Sequence, residues 1–109
     1  MSTKRNIENK TKTITFGEVA RRWLAEYETT HTRDQNNRAK RLLFRDLNAI
    51  GDIRVSELTR HHIWPELKSL LSENKRESAI RAKNTTVRVL DYAIELELIT
   101  VNPAVDIII

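Results

Sequence analysis

Apolar residues recur every three or four positions in four stretches of the 109-residue chain, which is the spacing of one face of an α-helix. The first stretch begins at Thr15, whose separation from Glu18 fits a capping box. Its apolar face comprises Phe16, Val19, Ala20, Trp23, Leu24 and Tyr27. Because this face holds three of the six aromatic residues, we predict that it is the main anchor of the core.

The second predicted helix spans about residues 34–48 and follows another capping-box pattern, from Thr32 to Gln35. At about 100° per residue, one arc of this helix is apolar and comprises Ala39, Leu43, Phe44 and Leu47. The opposite arc carries Arg38, Arg41 and Arg45, and a single carboxylate, Asp34, lies one turn before Arg38. Residues 50–53 predict the end of the helix, with Gly51 as a left-handed cap.

A third helix is predicted from about Thr59 to Ser72. Its apolar stripe comprises Ile63, Leu67, Leu70 and Leu71. Pro65 fits the first turn of a helix but not its interior, so the helix either restarts at Trp64–Pro65 or kinks there. The sequence leaves both alternatives open, and in either case Trp64 is expected at the edge of the domain.

The longest periodic stretch predicts a fourth helix over about residues 77–98, and Asn102–Pro103 follows it. The predicted core stripe comprises Ile80, Val87, Leu90, Ile94 and Leu98, with Ala79 and Ala93 at its edge. A different arc of the N-terminal half carries Arg81, Asn84, Thr85 and Arg88. The apolar run at residues 105–109 has no evident partner in this pattern.

Composition supports a single all-α domain, because 31% of residues are charged and only 2 Gly and 2 Pro are present. The lack of Cys excludes disulfides and thiolate chemistry, and no stretch resembles a secretory signal or a membrane span. Two glycines cannot build a Gly-rich phosphate loop. His61 and His62 point about 100° apart on a helix, which makes them a poor metal pair. We therefore expect no metal, no cofactor and no membrane partner.

The formal net charge of +4 conceals an uneven distribution. Residues 1–45 carry +6 and residues 75–88 carry +4, whereas residues 46–74 and 89–109 carry −2 and −4. If the second and fourth helices pack side by side, their arginine faces form one concave basic surface suited to nucleic acid phosphates. Residues 1–13, with four basic side chains and one acidic, are predicted to be a flexible, disordered tail or linker.

Three pieces of sequence occur in an order typical of one protein family. Residues 16–24 (FGEVARRWL) open the domain, residues 50–59 (IGDIRVSELT) follow the second helix, and residues 92–104 contain YAIELELI and then NPA. This order resembles the core-binding domain of phage-type tyrosine recombinases, the integrases of prophages and genomic islands. The resemblance covers about residues 14–106.

The resemblance implies a compact four-helix bundle of the SAM-like type that forms one half of a clamp around double-stranded DNA at the recombination core site. In that family the second and fourth helices face the major groove. By position, the expected DNA-binding residues are Arg38, Arg41, Arg45, Arg81, Asn84, Thr85 and Arg88. Further integrase protomers are expected partners of the full-length protein, an isolated domain is expected to be a monomer, and the expected location is the bacterial cytoplasm.

The family's catalytic Arg, His, Arg and Tyr lie in a separate C-terminal domain, so no catalytic residue is expected in this chain. Residues 14–104 are then the core-binding domain, and residues 105–109 begin a flexible linker to a catalytic domain that the chain lacks. Two alternatives remain open. A helical transcriptional regulator would need a short helix-turn-helix with a recognition helix, and dimerisation on palindromic half-sites would favour it. A SAM-like protein-interaction module would use the acidic end of the fourth helix and Ile107–Ile109.

Overall fold

The computed structural model describes residues 13–109, and this part of the chain is helical. Four α-helices lie wholly within it: α1 (Phe16–Tyr27), α2 (Arg33–Arg41), α3 (Arg60–Ser72) and α4 (Arg76–Glu95). A π-helical turn, Leu42–Asp46, extends α2, and 3-10 turns follow at Asn48–Ile50 and Val55–Glu57. The predicted all-α class with four helices is confirmed. The predicted tail lies outside the described residues, apart from Thr13.

Threonine residues begin three of these helices. At α1 the Glu18 backbone amide donates to Thr15 Oγ1 (3.2 Å), and the Glu18 carboxylate accepts from the Thr15 hydroxyl (3.5 Å) and not from the Thr15 amide, so half of the predicted capping box forms. At α2, Thr32 and Gln35 make both reciprocal hydrogen bonds of the box. Before α3, the Thr59 backbone amide donates to Nδ1 of His62 (3.0 Å). Each cap satisfies a backbone N–H that the helix leaves free and is worth about 1 kcal/mol.

The core lies where α1, the π-helical turn, α3 and α4 meet. Its largest fully buried side chains include Phe16, Leu47, Ile50, Ile63, Leu67 and Leu90. Burial of one such apolar side chain stabilises the fold by about 1.5–3 kcal/mol. Within α2 only Ala39 is buried. The core therefore holds α2 mainly through the π-helical turn that follows it.

Main-chain hydrogen bonds join residues 14–17 to residues 51–55, and we call this junction the clasp. Three amide-to-carbonyl bonds of 2.9 Å form it: Val55 to Ile14, Phe16 to Ile53, and Gly17 to Gly51. A Cβ atom at position 17 would lie 3.0 Å from the Gly51 carbonyl oxygen, so this close approach favours glycine. The clasp joins two of the sequence pieces, FGEV and GDIRV, on which the family resemblance rests.

Gly51 is not the left-handed cap that the sequence predicts. Its φ of −60° is right-handed, and the left-handed residues among 13–109 are Asn74 (φ 61°) and Glu97 (φ 62°). Glu97 ends α4 because its conformation lets the Leu98 amide donate back to the Ala93 carbonyl (3.0 Å). As a result α4 stops at Glu95, three residues before the predicted end.

The buried face of α4 is rotated away from the predicted stripe. Of that stripe only Leu90 is fully buried, and Ile80 is 38% exposed. The buried residues of α4 are Ala79, Ala82, Thr86, Val89, Leu90 and Ala93. Small side chains allow the neighbouring helices to approach closely, and the Thr86 hydroxyl donates to the Ala82 carbonyl (2.7 Å), so its burial leaves no unpaired donor.

α3 is continuous through Pro65, which excludes a restart at Trp64–Pro65. Pro65 lacks the N–H that would bond to the carbonyl four residues earlier, at His61. Both residues are exposed, so water can satisfy that carbonyl. Trp64 is 37% exposed and lies at the edge of the domain, as predicted.

The segment after α4 is anchored to that helix by Asn102. Its Nδ2 donates to the Val87 carbonyl and to the Asp91 carboxylate, both at 2.9 Å, and its Oδ1 accepts from the Ala104 amide. Ile107, for which the sequence suggested no partner, is buried in the core. Residues 102–107 therefore pack on the helical domain.

Asn36 of α2 carries a buried side-chain oxygen, Oδ1, that has no hydrogen-bond partner within residues 13–109. Replacing Asn36 by alanine removes this acceptor and increases helix propensity. We expect the free energy of unfolding, measured by urea denaturation, to rise by about 1 kcal/mol. Asn37→Ala, at the exposed neighbouring position, measures the propensity contribution alone. Equal gains in the two variants would show that the buried oxygen carries no penalty.

Candidate nucleic-acid interface

α2 and the N-terminal half of α4 lie on one side of the domain, because the π-helical turn packs against α4. Two adjoining clefts are found there, which we call together the basic groove. The first, of about 210 Å³, has among its lining residues Arg38, Arg41, Arg45 and Arg81. The second, the central cleft of about 220 Å³, has among its lining residues Arg38, Arg81, Asn84, Thr85 and Arg88.

All seven residues predicted to bind DNA line the basic groove. α2 supplies Arg38 and Arg41, the π-helical turn supplies Arg45, and α4 supplies the remaining four. Arg38 and Arg81 line both clefts and so occupy the middle of the surface. The fold thus brings two distant basic stretches of the chain together, while the contact of these residues with DNA stays a prediction.

The π-helical turn explains how Arg45 comes to face the groove. The Leu47 amide donates to the Leu42 carbonyl (3.0 Å), five residues back, which adds one residue to this turn. Leu42, outside the predicted apolar arc, is buried together with Leu43, whereas Phe44 is only half-buried. The wider turn therefore places two leucines in the core and leaves Arg45 exposed.

Within the described part of the chain, three of the five arginines in the groove have no acidic partner. No carboxylate of residues 13–109 lies within 4.0 Å of the guanidinium groups of Arg38, Arg41 and Arg88, and Asp34 does not pair with Arg38. The other two have partners: Arg45 Nε lies 3.0 Å from Oδ1 of the half-buried Asp46, and Arg81 Nη2 lies 3.9 Å from Oε2 of the exposed Glu77. The exposed Arg81–Glu77 pair contributes at most about 1 kcal/mol, so an incoming phosphate can displace it.

Asn84 and Thr85 are the neutral polar residues that α4 adds to the central cleft. Within the described part of the chain, neither side chain has a hydrogen-bond partner. The Asn84 amide retains two donors and an acceptor, and the Thr85 hydroxyl can donate or accept. These groups can therefore discriminate between base edges, which arginine charge alone does not do.

Three rings stack along α1 and the turn after it. The Trp23 and Tyr27 ring centroids are 4.8 Å apart, and those of Tyr27 and His31 are 3.6 Å apart and nearly parallel. His31 Nδ1 lies 2.8 Å from the Tyr27 carbonyl, so this nitrogen carries the proton. The sequence predicts that the face carrying Trp23 and Tyr27 anchors the core. Trp23 packs against the core but is only half-buried, and it lines the central cleft together with Tyr27, while Phe16 supplies the fully buried aromatic ring of α1.

The charge changes sign where α4 passes Arg88. A wider cleft of about 570 Å³ continues from the central cleft past the stacked rings, and its carboxylates are Glu26, Asp91 and Glu95. Tyr92 lies among them, and burial, followed by the negative charge of Glu26, raises the pKa of its phenol. The phenol therefore stays neutral at physiological pH. The basic surface accordingly ends at Arg88.

Residues 13–109 contain no group of three or more potential ligands among His, Asp and Glu that could hold a metal ion. His62 uses Nδ1 to accept from the Thr59 amide (3.0 Å), and His61 lies beside Trp64. Within the same range, every helix is too short or too polar to cross a lipid bilayer.

These observations define a small all-helical domain with a two-helix basic groove. The sequence model of the phage integrase central domain matches residues 16–108 of the chain. The protein therefore belongs to the phage integrase central domain family, a part of the tyrosine recombinases, and membership implies DNA binding in general. No curated protein matches the chain.

Proposed function

We propose that residues 14–104 are the core-binding domain of a site-specific tyrosine recombinase and hold double-stranded DNA at a recombination core site during integration and excision. The observation that carries this proposal is the placement of all seven predicted residues on one groove. In the working enzyme this domain forms one half of a clamp on the duplex, and other protomers of the integrase bind the neighbouring sites.

The groove suggests a division of labour between charged and neutral side chains. Arg38, Arg41 and Arg88, which have no carboxylate partner in residues 13–109, contact phosphates and supply most of the affinity through counterion release. Asn84 and Thr85 contact base edges in the major groove and supply selectivity. The chain positions DNA, and strand cleavage belongs to a catalytic domain of the complete recombinase.

Salt dependence provides the first test of this proposal. With about five phosphate contacts, the affinity for a duplex is expected to fall by about 10²–10³ between ~50 and ~200 mM salt. Fluorescence anisotropy on a duplex selected from a randomised library measures this decrease. An affinity that does not change with salt would contradict a phosphate-dominated interface.

The same duplex allows the interface to be mapped by amide chemical shifts. Shifts are expected in α2, the π-helical turn and the N-terminal half of α4, with α3 as the internal control because it supplies no lining residue of the groove. Shifts concentrated on α3 would place the DNA elsewhere. Self-association without DNA binding would instead favour a protein-interaction module.

A further inference from the structure

The basic groove contains a polar residue that the sequence identifies only as part of a helix cap. Gln35, the third residue of α2, lines the central cleft together with Arg38, Asn84 and Arg88. It is exposed, and its side chain takes part in the capping box at the start of α2. A single side chain therefore serves both the helix start and the surface of the groove.

The capping box determines which atoms of the Gln35 side-chain carboxamide remain free to bind another group. The Thr32 backbone amide donates to Gln35 Oε1 (2.9 Å), and the Gln35 backbone amide donates to Thr32 Oγ1 (3.2 Å). Because a backbone N–H requires an acceptor, the oxygen of the carboxamide is held by Thr32. The Nε2 group keeps two N–H donors that have no partner within residues 13–109.

We infer that Gln35 is a specificity-determining residue whose Nε2 donates to a base-edge acceptor in the major groove, such as guanine O6 or N7 or thymine O4. This inference rests on the proposed function. A glutamine that reads adenine uses its oxygen and its nitrogen together, whereas Gln35 Oε1 already accepts one hydrogen bond from Thr32, so donation from Nε2 is the contact that the capping box leaves fully open. A held amide also loses little side-chain freedom when it binds.

The position of Gln35 favours a base over a phosphate. The N-terminal residues of a recognition helix contact base edges in helix-turn-helix proteins, and Gln35 lies in the first turn of α2. Arg38 and Arg88, which line the same cleft without carboxylate partners in residues 13–109, are better suited to phosphates because they are charged. Nε2 of Gln35, which is a neutral donor, is therefore the group suited to a base edge.

The test uses the full chain and the variant Gln35→Glu. Glutamate is a usual third residue of a capping box, so the helix start and the melting temperature are expected to be preserved. A carboxylate offers acceptors only, and its base preference therefore changes from a base that presents an acceptor to cytosine, whose N4 donates. In selections from a randomised duplex library, the preference at one base pair is expected to change by about tenfold or more.

Asn37→Asp is the matched control, because it adds the same charge to the same helix at an exposed position that does not line the groove. The inference holds if Gln35→Glu alone changes the preferred base. It is overturned if both variants lose affinity equally on every sequence, or if the preference stays unchanged while the wild type binds. If the wild type enriches no duplex, the proposed function itself fails, and this inference fails with it.

Discussion

Replacing Arg38 and Arg81 together by glutamine is expected to reduce the affinity for duplex DNA by roughly 100-fold at low salt. Both side chains line both clefts of the basic groove, so the change removes charge from its middle. Each lost phosphate contact costs about 1.4 kcal/mol, and the salt slope should fall by about two. Anisotropy titrations at several salt concentrations measure both quantities.

Arg54→Gln combined with Arg60→Gln is the matched control for this double variant. It removes the same charge from exposed positions that do not line the basic groove. Stability should be preserved in both double variants, since Arg81 and Arg54 make only long, exposed ion pairs, of 3.9 and 3.7 Å. An equal loss of affinity in the two would mean that net charge, and not the groove, attracts the DNA.

The second large effect is expected at the clasp. Gly17→Ala should lower the free energy of unfolding by about 2 kcal/mol, because its Cβ would lie 3.0 Å from the Gly51 carbonyl oxygen. That oxygen belongs to the backbone and accepts the Gly17 amide at 2.9 Å, so it cannot retreat without weakening the hydrogen bond. Urea denaturation of the full chain measures the loss.

Gly51→Ala offers a comparison at the other side of the same contact. Alanine readily adopts the φ of −60° found there, and its Cβ would meet only the Asn48 carbonyl oxygen, at 3.2 Å. We expect a change within about 1 kcal/mol of the wild type. If Gly17→Ala proves as stable as Gly51→Ala, the clasp can widen freely and the close approach of the two segments is not required.

The sequence predicts much of the fold because its strongest signals are local. Helix caps depend on residues three positions apart, and the patterns at Thr15 and Thr32 correctly predict where α1 and α2 begin. The two arginine arcs follow from helical geometry alone. Their union into one groove depends on how the helices pack, and the family resemblance supplied the expectation that they meet.

Other features depend on packing that periodicity does not encode. The pattern of large apolar residues misplaces the buried face of α4, since close helix contact favours Ala79, Ala82 and Ala93 over Ile80. In the clasp Gly51 contacts Gly17, which lies 34 positions earlier in the chain. Helical periodicity does not reveal a contact at that separation. Three residues that line the groove are also not predicted by the sequence pattern.

The groove residues that the sequence pattern does not predict are Gln35, Trp23 and Tyr27. Gln35 both caps α2 and lines the central cleft. The capping-box pattern in the sequence reveals only the cap. The spacing of Trp23, Tyr27 and His31, each four residues apart, could have predicted a stacked surface instead of core packing.

The clasp also bears on how such a domain could diversify. It closes a loop of the chain that contains most of α1 and all of α2, including Arg38 and Arg41. Its main-chain hydrogen bonds involve no residue of α2, so the side chains of α2 can change while the clasp persists. Because lengthening a closed loop costs little free energy, residues near α2 can be substituted or inserted while the core persists. A lineage could in this way acquire a new target sequence and retain the same bundle.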